Sequence, residues 1–218
     1  MRRFSVNARK VVLVSVSLAL FLALICFYRV SVMSPRTIRV PADFATIQAA
    51  INNASDGDTI WVYNGTYPEH LEVNKSVTLL AVDGPDKTII EGDGNGTVVD
   101  ITAPGPVHLE GGFTIQNGTI GLLIESPSNG DYIESNNIID SMWGIYINFS
   151  TGNTLRNNNM TANGTNFMIN GDVLQDFVQD IDASNRVNGN PMTTDDGALY
   201  TGPPSGGEIV PRSWLPGG

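Results

Sequence analysis

Four short apolar strings, Val98-Val99-Asp100-Ile101, Gly121-Leu122-Leu123-Ile124, Gly144-Ile145-Tyr146-Ile147 and Asn166-Phe167-Met168-Ile169, follow one another at spacings of 23, 23 and 22 residues. Self-similarity at such a period marks a solenoid, because a compact domain has no reason to repeat its strands at a constant interval. Alternation within each string predicts two inward columns, Val99/Leu122/Ile145/Phe167 and Ile101/Ile124/Ile147/Ile169. Asp100, Leu123, Tyr146 and Met168 then face out. The chain is therefore predicted to coil, one stacked turn per repeat.

Upstream, residues 37–40 read as a first strand, and Ile47, Ala50, Ile51 and Ala54 fall on one face of a helix that Thr46 N-caps. One amphipathic helix ahead of many strands fits a cap over the open end of the stack, so residues 37–58 are assigned to an N-terminal strand and cap helix. Further strands are predicted at 59–63, 69–73, 77–81, 88–90, 107–109 and 113–115, with weaker ones near 132–133, 137–139 and 154–155. Clusters such as Asn64-Gly65-Thr66 and Asp83-Gly84-Pro85-Asp86 serve as turns. Three short strands per repeat with no helix between them predict an all-β fold, a single-stranded parallel β-helix of four to five coils over residues 59–170. A post-helix segment, 171–190, and a flexible Gly/Pro-rich tail, 191–218, follow; the tail cannot supply another coil and is expected to mark a truncation or an altered reading frame. Asn136-Asn137 and Asn157-Asn158-Asn159 occupy equivalent turns, where asparagine tolerates left-handed backbone and bonds to its copy in the next coil.

Arg2, Arg3, Arg9 and Lys10 precede an uncharged run from 11 to 28. Residues 1–10 read as a basic cytoplasmic region and 11–33 as a signal peptide or signal-anchor helix. An uncleaved anchor is favoured, with everything after Ser34 outside the cell. Cys26 lies in that run as a buried apolar thiol, and no cysteine follows it, which excludes disulfides and thiolate metal sites from the exported part. Six of the twelve basic residues and none of the 22 acidic ones fall within residues 1–36, leaving a net charge of −16 beyond. Nucleic acid and anionic membrane surfaces are poor partners for such a charge, so contact with a membrane is expected only through residues 11–33.

The segment Val40-Pro-Ala-Asp-Phe-Ala-Thr-Ile-Gln-Ala-Ala-Ile51, with Gly57-Asp-Thr-Ile-Trp-Val-Tyr-Asn-Gly-Thr-Tyr67 and Lys75-Ser-Val-Thr-Leu79, resembles the N-terminal coil of the pectin-lyase-like right-handed parallel β-helix superfamily. Gly112-Phe113-Thr114-Ile115 and Gly144-Ile-Tyr-Ile147 are similar to its repeat units, and the NosD-type β-helix proteins of archaeal cell surfaces resemble the chain most within it. The resemblance covers about residues 37–190. It implies either a surface module or a relative of pectate lyases, pectin methylesterases and polygalacturonases.

Catalysis finds little support in the residues. The Asn-Thr-Asp, Asp-Asp and Gly-His run of polygalacturonase-like enzymes is absent, and neither Arg156 nor Arg186 has an acidic cluster beside it in sequence. The NosD resemblance implies a role in copper-enzyme maturation, yet His70 and His108 stand alone, and neither a metal site nor a cofactor is predicted. Carbohydrate contact is the more natural expectation. Trp61 and Tyr63 face outward if Ile60 and Val62 face in, and His70 and Glu72 stand near enough in sequence to complete a sugar-binding site; the bland alternative is that the rings cover the junction with the cap helix. Asn53, Asn64, Asn74, Asn95, Asn117, Asn148, Asn159 and Asn163 each open a glycosylation sequon, although Asn-Gly is also turn chemistry. The chain thus reads as an exported, glycosylated cell-surface β-helix, carbohydrate-binding or structural and non-catalytic. The alternatives are a polysaccharide-degrading lyase or glycosidase, or a fragment of one, and an accessory protein of copper-enzyme maturation. An open last strand edge is expected to favour self-association.

Overall fold

The computed structural model describes residues 34–192 and 199–201, and the β-helix belongs to the unit that begins at Pro35. The first strand, Thr37–Val40 (β1), leads into the helix Ile47–Asn53 (α1). Coils then follow as Thr59–Val62 (β2), Gly65–Tyr67 (β3) and Leu71–Val73 (β4), and Thr78–Ala81 (β5), Thr88–Glu91 (β6) and Thr97–Ile101 (β7). Next come His108–Glu110 (β8), Thr114–Gln116 (β9) and Ile120–Glu125 (β10), then Tyr132–Glu134 (β11), Asn137–Ile139 (β12) and Trp143–Asn148 (β13). Thr154–Arg156 (β14), Asn159–Thr161 (β15) and Thr165–Asn170 (β16) are followed by Asp180–Ile181 (β17), Arg186–Val187 (β18), Asn190–Pro191 (β19) and Leu199–Thr201 (β20).

Three parallel sheets run along the stack. Sheet A is β1-β2-β5-β8-β11-β14-β17, sheet B is β3-β6-β9-β12-β15-β18 with β19 antiparallel at its end, and sheet C is β4-β7-β10-β13-β16-β20. Sheet C carries the repeat from which the coil was inferred, and its register is the predicted one. Val99, Leu122, Ile145 and Phe167 align, as do Ile101, Ile124, Ile147 and Ile169, and all are buried. Sheets A and B add the columns Ile38/Ile60/Leu79/Leu109/Ile133/Leu155/Ile181 and Tyr67/Ile90/Ile115/Ile138/Met160/Val187. Each buried aliphatic side chain in such a column stabilises the stack by about 1.5–3 kcal/mol. Gly121 and Gly144 recur because a Cβ there would meet Ile138 Cγ2 at 2.6 Å and the Asn166 carbonyl oxygen at 2.5 Å.

The stack has about seven turns, one for each strand of sheet A, where four to five were expected. Two features hid the others. Gly65–Tyr67, assigned to a turn, is a strand paired with β6, and coils after residue 170, assigned to a post-helix segment, continue as β17 and β18 against β14 and β15. Of the expected tail, Leu199–Thr201 pairs with β16, while most of 193–218 lies outside the described residues. The expected helix at 11–33 also lies outside them, and no described helix is long and apolar enough to cross a membrane.

The cap helix forms as its sequence requires. The Thr46 hydroxyl accepts from Ala49 N at 3.2 Å, and Ile47, Ala50 and Ile51 are buried. The second coil clamps both ends: Glu69 accepts from Ile47 N and Gln48 N at 2.9 Å each, and Lys75 Nζ donates to the carbonyls of Ile51, Asn52 and Ala54 at 3.1, 2.7 and 2.8 Å. These are the free N–H and C=O groups of a helix's two ends, met by charges of the sign its dipole favours.

The asparagine ladder is present and buried at the corner between sheets A and B. Asn136 N donates to Asn158 Oδ1 at 3.1 Å and Asn158 N to Asn185 Oδ1 at 3.1 Å, while their side-chain amides donate to Leu109 O and Ile133 O at 2.9 and 2.8 Å. A second ladder follows sheet C: Val107 N donates to Asp131 Oδ1 at 2.8 Å, Asp131 N to Asn153 Oδ1 at 2.9 Å and Asn153 N to Gln179 Oε1 at 2.9 Å. Asn158→Leu strands several buried backbone groups at once and is expected to lower unfolding free energy by about 3 kcal/mol. Asn157→Gly, at a residue with φ of 55° beside it, is expected to be nearly neutral. Urea denaturation of the two variants checks both.

Candidate functional site

The outer face of sheet C gathers the surface chemistry of the stack. In register across it run Glu72, Asp100, Leu123, Tyr146 and Met168, with Glu125, Asn148 and Asn170 alongside and Thr97, Ile120, Trp143 and Thr165 at the far edge. Neighbouring strands are about 4.8 Å apart, which sets Tyr146 about 10 Å from Asp100 along the stack. Leu123 and Met168 face outward yet are buried, leaving an apolar strip between polar groups.

At the N-terminal end of this face a shallow groove of about 340 Å³ is lined by His70, Leu71, Glu72, Thr97 and Asp100. His70 lies on its rim, with Nδ1 2.7 Å from Thr97 O and Nε2 3.3 Å from Asp93 Oδ1. Both nitrogens thus face oxygen, so the ring donates to both only as the imidazolium. Asp93 is held below the usual carboxylate range chiefly by the N–H of Asn95. Asp100 is pushed up to about 6, first by burial and then by the charges of Glu125 and Glu72. Its Oδ1 is buried and has no hydrogen-bond partner.

Two coils on, Trp143 and Tyr146 meet edge to face with ring centres 5.6 Å apart. Tyr146 OH donates to Asn148 Oδ1 at 3.3 Å; Asn170 Nδ2 donates to the same oxygen at 2.8 Å, and Asn148 Nδ2 to Glu125 Oε2 at 3.4 Å. An aromatic pair beside a row of amides and carboxylates offers a stacking surface with hydrogen-bonding groups fixed around it.

The four sequence candidates divide between two sheets. His70 and Glu72 belong to the groove of sheet C, whereas Trp61 is in register with Arg39 and Leu80 on sheet A and Tyr63 follows it there. The sequence does not single out Trp143 or Glu125, and it marks Asp100 and Tyr146 only as outward-facing. The signal that finds them is the outward column of the 23-residue repeat followed across coils. On sheet A, His108 and Tyr132 rings lie 5.6 Å apart. Arg156, expected to lack acidic neighbours, ion-pairs with Asp180 at 2.7 Å and Asp182 at 3.3 Å, because the next coil sets residues about 25 positions away beside it. Among the described residues no group of three or more His, Cys, Asp or Glu side chains could hold a metal ion.

Folding also sorts the sequons. Asn53, Asn64, Asn74, Asn95 and Asn117 are exposed. Asn163 is built into a corner, its Nδ2 donating to Ile138 O at 2.8 Å and its Oδ1 accepting from Ser141 N at 3.0 Å. Asn117, Asn148 and Asn53 spend Nδ2 on Gly92 O, Glu125 and Ala49 O, and Asn159 is partly buried in β15.

No protein-family model matches the chain, and no curated protein matches it by sequence. Among solved structures, an alginate lyase from Paenibacillus sp. str. FPU-7 superposes with a TM-score of 0.54 at 19% identity, over 70% of this chain and 57% of the lyase. The chain thus spans little more than half of that enzyme's length. Two structures of a pectin methylesterase in complex with hexasaccharides reach a TM-score of 0.43 at 12% and 13% identity, over 77% of this chain and 70% of theirs. The fold is a parallel β-helix, shared with the alginate lyase.

A carboxyl raised in the folded state destabilises it wherever it is ionised. The Asp100 penalty is absent below the unfolded value near 4, grows as pH rises, and is complete above about 6. Burial holds Asp131 up in the same direction. Asp100→Asn is therefore expected to raise stability above pH 6 by about 1 kcal/mol, discounted because water screens a half-exposed carboxyl, and to change little near pH 4. Thermal melts across that range check it. Glycopeptide mapping in a glycosylating host is expected to find Asn64 and Asn95 occupied and Asn163 empty.

Proposed function

We propose that the chain is an exported, NosD-type cell-surface β-helix module that binds carbohydrate, without catalysis, across the outer face of sheet C. The single observation that carries this is the Trp143–Tyr146 pair, set in one register with the groove of His70, Glu72 and Asp100 and braced by Asn148 and Asn170. A glycan lying along the stack would cross β4, β7, β10 and β13 in turn, about 14 Å, enough for several contacts of one chain. The lyase that shares the fold acts on a saccharide by its name, which agrees with this class of partner. The exported setting, the anchor at 11–33, glycan chains on the exposed sequons and self-association at the last coil belong to the same proposal.

A second reading has one observation of its own: Glu72 and Asp100 are paired on adjacent strands, and Asp100 is raised, as a glycosidase acid and its partner carboxylate would be. The copper role finds less, since His70 lies in the groove of sheet C and His108 on sheet A. Replacing Trp143 and Tyr146 together by Ala is expected to weaken glycan binding by about tenfold or more with the fold kept, since each stacked ring contributes roughly 0.5–1.5 kcal/mol. Trp61→Ala with Tyr63→Ala in the same titration tests the sheet A pair. Retained binding in the first double variant would refute the site, and new reducing ends released from the bound glycan, lost in Asp100→Asn, would replace binding by hydrolysis.

A further inference from the structure

Resting on that carbohydrate-binding reading, the geometry points to a polysaccharide bearing protonated amines, an amino-sugar chain, as the glycan class that the sheet C face takes. The strands of sheet C, β4, β7, β10, β13, β16 and β20, contain no lysine and no arginine. Arg39 and Arg156 stand on sheet A strands and Arg186 on a sheet B strand, Arg36 immediately precedes β1, and Lys87 immediately precedes β6. Lys75, two residues past β4, is committed to three carbonyls at the C-terminal end of the cap helix. His70 directs Nε2 at Asp93 Oδ1, 3.3 Å away.

Against this absence of cations among the described residues of the face, Glu72 and Asp100 stand side by side, and Glu125 acts on Asp100 from the next strand. Oδ1 of Asp100 is buried with no donor, so among the described residues nothing bonds to that oxygen of a carboxylate that lines the groove. A polyuronate would instead set a carboxylate on each sugar against these three. At a separation of one strand, roughly 5 Å and so within the screening length of about 8 Å at physiological salt, the repulsion is not screened away. The neighbouring fold's name includes alginate; this face is built for the opposite charge. The aromatic pair supplies the stacking that any glycan uses, and the carboxylates select which one.

The test is calorimetric titration of the full chain slightly below neutral pH, where the glucosamine amines are largely protonated, with three oligosaccharide sets: chitosan oligomers, their fully N-acetylated counterparts and oligogalacturonate. Chitosan oligomers are expected to bind about tenfold or more tighter than the acetylated ones, to weaken as salt is raised, and to leave oligogalacturonate unbound. Glu72→Gln with Glu125→Gln is expected to bring chitosan binding down to the acetylated level. Glu110→Gln with Glu134→Gln, which removes the same charge from sheet A, is expected to leave it unchanged. A drop of equal size in both double variants would mean attraction by net charge alone and would overturn the site. Equal or tighter binding of acetylated or uronate oligomers, still abolished by Trp143→Ala with Tyr146→Ala, would overturn the amino-sugar class and leave the carbohydrate reading standing. Failure of all three sets to bind would overturn both.

Discussion

Everything in this molecule hangs on parallel pairing between successive coils. A strand of three residues has no stability alone, but each here hydrogen-bonds to a copy of itself above and below, and its one or two inward side chains stack on their equivalents. Such an arrangement stabilises only in sum, with each coil lending its neighbours an apolar surface. The consequence for sequence is tolerance: a column accepts Val, Leu, Ile or Phe so long as the register is kept. Corners are less forgiving. There the backbone must turn inside a dry core, and its N–H groups need partners, which Asn136, Asn158 and Asn185 supply at one corner and Asp131, Asn153 and Gln179 at another.

The open end is handled by charge as well as by burial. α1 covers the first coils with Ile47, Ala50 and Ile51, and it is held there by Glu69 at its N-terminus and Lys75 at its C-terminus, residues that flank β4. The cap therefore depends on the coil it protects. One consequence reaches the candidate site: Gln48 of the helix accepts from Glu72 N at 2.8 Å, so the strand that carries Glu72 into the groove is tied to the cap.

Inward and outward faces obey different rules. Inside, the period dictates residue type; outside, stacking merely brings unrelated side chains into line, and a surface with chemistry arises where several polar or aromatic ones coincide. On sheet C that coincidence is acidic and aromatic, whereas on sheet A Arg156 is absorbed by Asp180 and Asp182. The two faces of one solenoid thus differ in what they offer a partner, although the same coils build both.

From the sequence by itself came the solenoid, the inward columns of sheet C, the asparagine ladder and the cap helix with Thr46 at its start, because each is a local or periodic pattern of residue type. Coil number did not follow, since the spacing between strands of sheet A varies with corner length and strands such as Gly65–Tyr67 carry turn-forming residues. Nor did the companions of His70 and Glu72. Asp100, Glu125, Trp143 and Tyr146 lie 28 to 76 residues further on and reach one face only through the register of parallel strands. Trp61 and Tyr63, a few residues away in sequence, belong to another sheet because the chain turns two corners, through β3 of sheet B, before it reaches Glu72. Sequence proximity in a β-helix measures distance around the coil, while function is laid out along the axis, which only the stacked structure reveals.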